Sequence, residues 1–289
     1  MSFWHTNRIL LVRVGSRAYG LETPQSDEDL RGVCVPPLDY LLGLETFEQH
    51  HEEEGDEETV ALAKFVRLAL EGAPNVVEQL FVDPADVLHT TRWGDRLRAE
   101  GPGFLSRRLG ERLLGFARAN WQRLEKHRRW RADQPPPEVT PADFGAQPGP
   151  QGNPRFPDEE ARAAYRAAHK RWREFADWRS RRNPRRLALE ERFGFDTKSA
   201  MHACRLLSQC EELVREGALV VRRPDAAWLR SIRAGEVSYE ELRAWSEERL
   251  ERLPSELAAS ELPARATVEG HALVAELQAD FHGVELTRP

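Results

Sequence analysis

Residues 14–32 read VGSRAYGLETPQSDEDLRG, and their side-chain types at this spacing carry a particular chemistry. Asp27 and Asp29 are one residue apart. At the start of an extended strand both point to the same face, because strand side chains alternate with a period of two. That is the spacing two carboxylates need to share one divalent ion, and a hard cation such as Mg²⁺ takes oxygen ligands, commonly one or two carboxylates plus substrate phosphate oxygens. Upstream, Gly15 lets the backbone approach a phosphate closely, while Ser16 offers a hydroxyl and a backbone N–H at an expected helix start. Together they suit phosphoryl or nucleotidyl transfer. A D-x-D taken alone is equally the chemistry of a solvated turn.

The elements that must hold these residues are visible on either side of them. Ile9 to Val14 is a compact apolar run interrupted only by Arg13, and Leu30 to Val35 is mostly apolar before Pro36 and Pro37 stop it, so both read as buried strands. From Val60 to Leu70 apolar residues fall at helical spacing, and a second helix is expected from Pro74 to Val82 after the break at Gly72. This opening third is α/β. Beyond about Glu111 the strand signal fades into long charged stretches with Leu, Trp and Ala at helical intervals, which predicts an all-helical remainder. Asp133 to Pro157 is too rich in Pro and Gly for helix or strand and is expected to be a long exposed loop or disordered hinge.

At 289 residues the chain has room for two compact units, expected at 1–110 and 111–289. The formal charge of −6 argues against a protein basic throughout, though an average hides local asymmetry. Cys34, Cys204 and Cys210 show neither Cys-x-x-Cys nor zinc-type spacing, so reduced thiols and a cytoplasmic location are expected. The N-terminal MSFWHTNR is unlike an export signal, and no apolar run is long enough to span a bilayer, which predicts no membrane partner. No Ser sits in a G-x-S-x-G elbow, so covalent catalysis is not indicated.

The order of the pieces, an apolar strand, Gly15-Ser16, Gly20, then Ser26-Asp27-Glu28-Asp29, closely resembles the signature of the DNA polymerase β-like nucleotidyltransferase superfamily. GSRAYG, SDEDLRGV, KFVRLALEGAPNVVEQLF and FGFDTKSAMH resemble one branch of it over most of the chain, predicted nucleotidyltransferases that include an RNA-ligase-associated group. Ala73 departs from that branch, where Asn is expected. The resemblance implies an α/β (α+β) nucleotidyltransferase core with a mixed sheet, a helical C-terminal domain, Mg²⁺ (or Mn²⁺) as cofactor, and a nucleoside triphosphate such as ATP as substrate. It also implies a functional link to an RNA ligase. Gly15, Ser16 and Arg17 would bind nucleotide. A third carboxylate is implied on a neighbouring strand; alignment back from LAKFVRL places Asp56 there, with Glu58 next because it shares the strand face. Asp27, Asp29 and Asp56 are thus the expected catalytic and metal-binding set. The competing reading of this acidic run is a solvated loop.

Between Arg112 and Arg192 basic residues exceed acidic ones by about eight, with the runs KHRRWR and RSRRNPRR interleaved with Trp121, Trp130, Trp172 and Trp178. Arginines track a phosphate backbone and aromatic rings stack on bases, which points to an RNA acceptor; alternatively the rings fill a core and the arginines merely solvate it. In FGFDTKSAMHACRLLSQCEELV, Asp196 is a plausible N-cap. Ala200, Ala203, Leu207, Cys210 and Val214 form an apolar stripe, and Lys198, His202, Arg205 and Gln209 recur on another face. Lys198 and His202 are candidate triphosphate contacts, against the alternative of an ordinary surface helix. The adjacent His50 and His51 read as surface residues rather than a chelating pair. Rival functions are nucleotide transfer to a protein or small molecule, or a non-catalytic RNA- or nucleotide-binding module.

Overall fold

The run RILLVRV lies at the heart of the sheet. In the computed structural model, which describes residues 2–24, 26–52, 55–131, 135–149, 152–181 and 183–286, with Arg185 by its backbone alone, this run is strand β1 (Arg8–Val14). Ile9, Leu10 and Val12 are fully buried. β2 (Asp29–Cys34) pairs antiparallel with one side of β1, and β5 (Val87–Thr90) antiparallel with the other. β4 (Asp56–Ala61) lies parallel to β2, and β3 (Gln49–His51) pairs antiparallel with β4. The sheet is therefore mixed, in the order β3-β4-β2-β1-β5.

Helices α1 (Phe3–Thr6), α2 (Gly15–Ala18), α3 (Leu38–Leu42), α4 (Leu62–Leu70), α5 (Pro74–Val77) and α6 (Arg92–Ala99) are interspersed with the strands or follow them. The chain continues as α7 (Arg107–Arg131), α8 (Glu159–Ser180), α9 (Pro184–Phe193), α10 (Thr197–Glu216), α11 (Ala226–Ala234), α12 (Tyr239–Ala259) and α13 (Gly270–His282). Two compact units result: residues 1–118 together with 201–289, and Ala119–Ala200. Their boundaries fall inside α7 and α10. The helices after residue 200 join the unit that holds the sheet.

In the first unit, α4 buries Leu62, Phe65, Val66 and Ala69 at helical spacing. Gly270, at the start of α13, lies where an added Cβ would strike the Leu70 side chain, so these two helices approach closely. α13 is also tied to α6, by Trp93 Nε1 donating to Asp280 at 2.7 Å and Arg96 to Glu276 at 2.5 Å. A ring nitrogen of His282 lies 2.9 Å from the Pro36 carbonyl. All three cysteines are buried and unbridged, and burial pushes each thiol up to about 12, which keeps them protonated and unreactive.

The second unit has a different interior. α8 has no fully buried residue, and half-buried rings do the packing: Trp130 with Phe175 and Trp178 at 5.5 and 5.2 Å between centroids, and Tyr165 with Phe144 and Phe156 at 5.8 and 5.4 Å. Trp121 is buried outright. The Pro/Gly-rich stretch is not a featureless loop. Thr140 and Asp143 form a capping box on a 3₁₀ turn at Pro141–Phe144, and β6 (Gln147–Pro148) pairs with β7 (Pro154–Arg155) as a small ribbon. The contacts of Phe144 and Phe156 with Tyr165 anchor it to α8, an order that composition does not reveal. Residues 133, 134, 150 and 151 of that stretch, and Arg182 of the second basic run, lie outside the described residues. Among the described residues no helix is long and apolar enough to cross a membrane.

Candidate active site

Register brings the carboxylates together. Asp29, the first residue of β2, is opposite Val14 of β1 on one side and opposite Asp56, the first residue of β4, on the other. Because β2 and β4 run parallel, both strands present their first residue at the same end of the sheet. Glu58 stands two positions further along, opposite Arg31. The Arg31 guanidinium donates to the Asp56 carbonyl at 3.0 Å and to its carboxylate at 3.3 Å, and lies 3.5 Å from Glu58. Asp56, not Glu58, is therefore the neighbour of Asp29. Asp27 lies two residues ahead of the strand and is exposed, so the period-two argument reaches it only in part.

Gly15 completes the approach from β1. Its φ of +68° is one that residues with a Cβ rarely adopt, and a Cβ there would also run into Oδ2 of Asp29. The turn it opens is α2, a single helical turn of four residues. The turn is closed internally by Tyr19 N–H to the Gly15 carbonyl at 3.1 Å and Leu21 N–H to the Ser16 carbonyl at 2.8 Å. Arg17 donates to the Ser26 carbonyl at 3.3 Å, while its buried Nε has no hydrogen-bond partner among the described residues.

Ionisation of Asp29 is resisted. Burial is the first cause, followed by hydrogen bonding to and repulsion from Asp56; Arg31 offsets this in part, and Asp27 adds to it. Among the described residues no three His, Cys, Asp or Glu side chains converge into a ready-made metal cage, so what the fold assembles is a pair of carboxylates with Asp27 near enough for its charge to be felt. The donors are all oxygen and all of one charge. A hard divalent cation fits such a set, and it would relieve the repulsion that raises Asp29.

Lys198 and His202 lie one turn apart on α10, and Asp196 caps the helix as expected, accepting from Ser199 N–H at 3.0 Å. The two candidates belong to different units, Lys198 to the second and His202 to the first. Further along, the expected polar face is not a surface at all: Arg205 and Gln209 are buried.

Over residues 4–228 the chain matches RlaP, the RNA repair pathway DNA polymerase beta family. It belongs to this family. The match takes in the Gly-Ser turn, Asp27, Asp29, Asp56, all of the second unit and α10. Neither a curated protein nor a solved structure matches the chain. As an RlaP member it is a polymerase β-like protein of RNA repair.

What sequence reading missed in this RlaP chain is the support behind the turn. Tyr19, which caps α2, donates its hydroxyl to Glu78 at 2.6 Å; Arg205 donates to the other Glu78 oxygen at 2.9 Å and to Gln209 at 2.7 Å, and its guanidinium lies 3.9 Å from the Tyr19 ring centroid. All four residues are buried. Burial acts against the Arg205 charge, but the Tyr19 and Glu78 side chains outweigh it and hold the guanidinium above its ordinary value. The local sequence carries no signal of it, since the neighbours of Arg205 at three- and four-residue steps are Met201, His202, Ser208 and Gln209, most of them polar.

Proposed function

We propose that this chain is a metal-dependent nucleotidyltransferase that moves a nucleoside monophosphate from a nucleoside triphosphate to a hydroxyl acceptor, an RNA end, with release of pyrophosphate. The observation that carries the reading is the placement of Asp29 in register with Asp56 and against Gly15, in a member of an RNA repair polymerase β family. Asp27, Asp29 and Asp56 would hold Mg²⁺ (or Mn²⁺), which when bound supplies charge stabilisation to attacking and leaving oxygens at phosphorus. Asp29 and Asp56 provide adjacent acceptor oxygens fixed by a backbone ladder, so their geometry need not be organised when substrate arrives. Gly15, Ser16 and Arg17 provide the close backbone, the hydroxyl and a cation for the phosphate chain. The basic, ring-bearing second unit supports RNA as the acceptor.

The test incubates the full-length chain with each labelled nucleoside triphosphate, Mg²⁺, and either an RNA oligonucleotide or a protein extract. Label on RNA is expected, with Asp29→Asn reducing turnover by about a thousandfold or more and leaving the far-UV circular dichroism unchanged. Asp56→Asn should behave alike and Glu58→Gln should be mild. Label on protein alone would replace the acceptor. Undiminished turnover in Asp29→Asn would remove this site from the reaction.

A further inference from the structure

Residues 219–223 lie in the first unit with the Gly-Ser turn, after α10. Val221 and Arg223 are buried there, and Arg223 is the better anchored. Its guanidinium is fully buried and donates to both Glu212 oxygens at 2.6 and 2.7 Å and to Asp225 at 2.9 Å, while its backbone N–H donates to the Tyr19 carbonyl at 3.1 Å. Arg230, from α11, donates to the Gly20 carbonyl at 2.6 Å. Arg223 of the segment and Arg230 of α11 thus hold the turn at two consecutive carbonyls, those of Tyr19 and Gly20. Between two buried neighbours, Arg222 points outward with about half its side chain exposed, at 53%.

Arg222 reaches over Gly20, the glycine that closes the turn opened by Gly15. A Cβ on Gly20 would meet its Nη1 at 3.7 Å, and Gly20 has a φ of +70°. Its Nη2 lies 3.5 Å from Oδ2 of Asp86, a carboxylate that is 3% exposed and whose Oδ2 has no hydrogen-bond partner among the described residues. The other Asp86 oxygen accepts from Arg13 at 3.0 Å, and Arg13 also donates to Glu28, between Asp27 and Asp29, at 2.9 Å. A buried carboxylate with an unmet oxygen thus faces a half-exposed guanidinium.

We infer that Arg222 receives the phosphate chain of the nucleotide at the Gly20 end of the turn whose Gly15 end abuts Asp29. This rests on the nucleotide reading proposed above. Arg222 belongs to the same unit as the carboxylates, which Lys198 does not. A guanidinium offers several donors in one plane, so it can stay paired with Asp86 and still bind phosphate oxygens. The expected ligand is a di- or triphosphate, whose chain offers phosphate oxygens beyond the one held near Asp29.

Calorimetric titration of the full-length chain with each nucleoside triphosphate and its monophosphate, in Mg²⁺, tests this. Arg222→Ala should weaken triphosphate binding about tenfold or more and leave monophosphate binding within about twofold. Arg222→Lys should restore part of the difference. The melting temperature, measured alongside, should move little, because Arg13 still holds Asp86. If Arg222→Ala binds triphosphate as the unaltered chain does, while Asp29→Asn loses the Mg²⁺-dependent part, the inference fails and the nucleotide reading stands. If the unaltered chain binds no nucleoside triphosphate, both fall. Equal weakening for mono- and triphosphate would also overturn the inference, since the residue would then be acting on the turn as a whole.

Discussion

Arginine serves the two units in opposite ways. In the first it is a strut: Arg205 is closed in by Glu78, Tyr19 and Gln209, Arg223 by Glu212 and Asp225, and Arg252 donates to Glu211, Glu248 and Glu256. In the second several cations lie at the surface, although Lys126 pairs with Glu174 and Arg186 with the buried Asp196. Arg166, Lys170 and Arg173 are exposed and line an open cavity of 320 Å³ together with Tyr165, His169, Glu174 and Asp177 of the same helix. The difference lies in whether carboxylates from several elements converge on a cation and bury it. Where acidic partners converge from other elements, desolvation of the guanidinium is offset; where they do not, the charge stays in water and is available to a polyanion.

The sharpest way to break this contrast is Arg205→Met, which strands the Glu78 carboxylate in the interior. A loss of about 3–5 kcal/mol is expected in urea unfolding, with much of it regained in Arg205→Met combined with Glu78→Gln. A loss below about 1 kcal/mol would mean that Arg205 is no strut.

A smaller effect is expected at Glu211. Burial opposes its charge, but Arg252, Arg249 and Arg215 together hold its carboxyl below the ordinary value of 4.5. A carboxyl depressed in the folded state stabilises the fold above its unfolded value, and that contribution fades as pH falls from about 4.5 through the folded value. Glu211→Gln should therefore lower the melting temperature at neutral pH and flatten the acid limb of the stability curve. An unchanged acid limb would show that these arginines do not act on it.

The smallest stability change belongs to the second unit, where Arg166→Ala with Arg173→Ala should stay within about 0.5 kcal/mol per residue. If these side chains bind RNA, the slope of log affinity against log salt should become shallower by about 0.7 for each phosphate no longer neutralised. A large stability loss with an unchanged slope would reverse their roles.

The elements legible in the sequence are those whose local pattern and tertiary setting agree. RILLVRV and DLRGVC read as strands because they are apolar and buried in the middle of the sheet. β3 and β5 escape such reading, since QHH and VLHT are short edge strands with little apolar alternation, defined by the strand beside them. Val60 reads as the start of a helix but is in β4, opposite Val33, and α4 begins two residues later. The Gly15, Asp27 and Asp29 grouping is visible because it is local. The Asp29–Asp56 pairing depends on a parallel register, and the polar face of α10 misleads because Arg205 is polar by type and buried by partnership. Arg222 gives no signal in the sequence, as its significance lies in its proximity to Gly20 and Asp86.

The docking of α13 bears on how the chain folds as it is made. β1 pairs with β5 some eighty residues on, and α13 packs against α4 and α6 from about two hundred residues away. The outer surface of α4 around Val66 and Leu70 thus stays uncovered until nearly the whole sequence has been synthesised. Pairings between such distant parts of the chain close slowly, because loop-closure entropy is lost before they form. A nascent chain stalled before residue 270 would present its finished sheet with an apolar helix face still bare, the form most prone to aggregate and most in need of a chaperone.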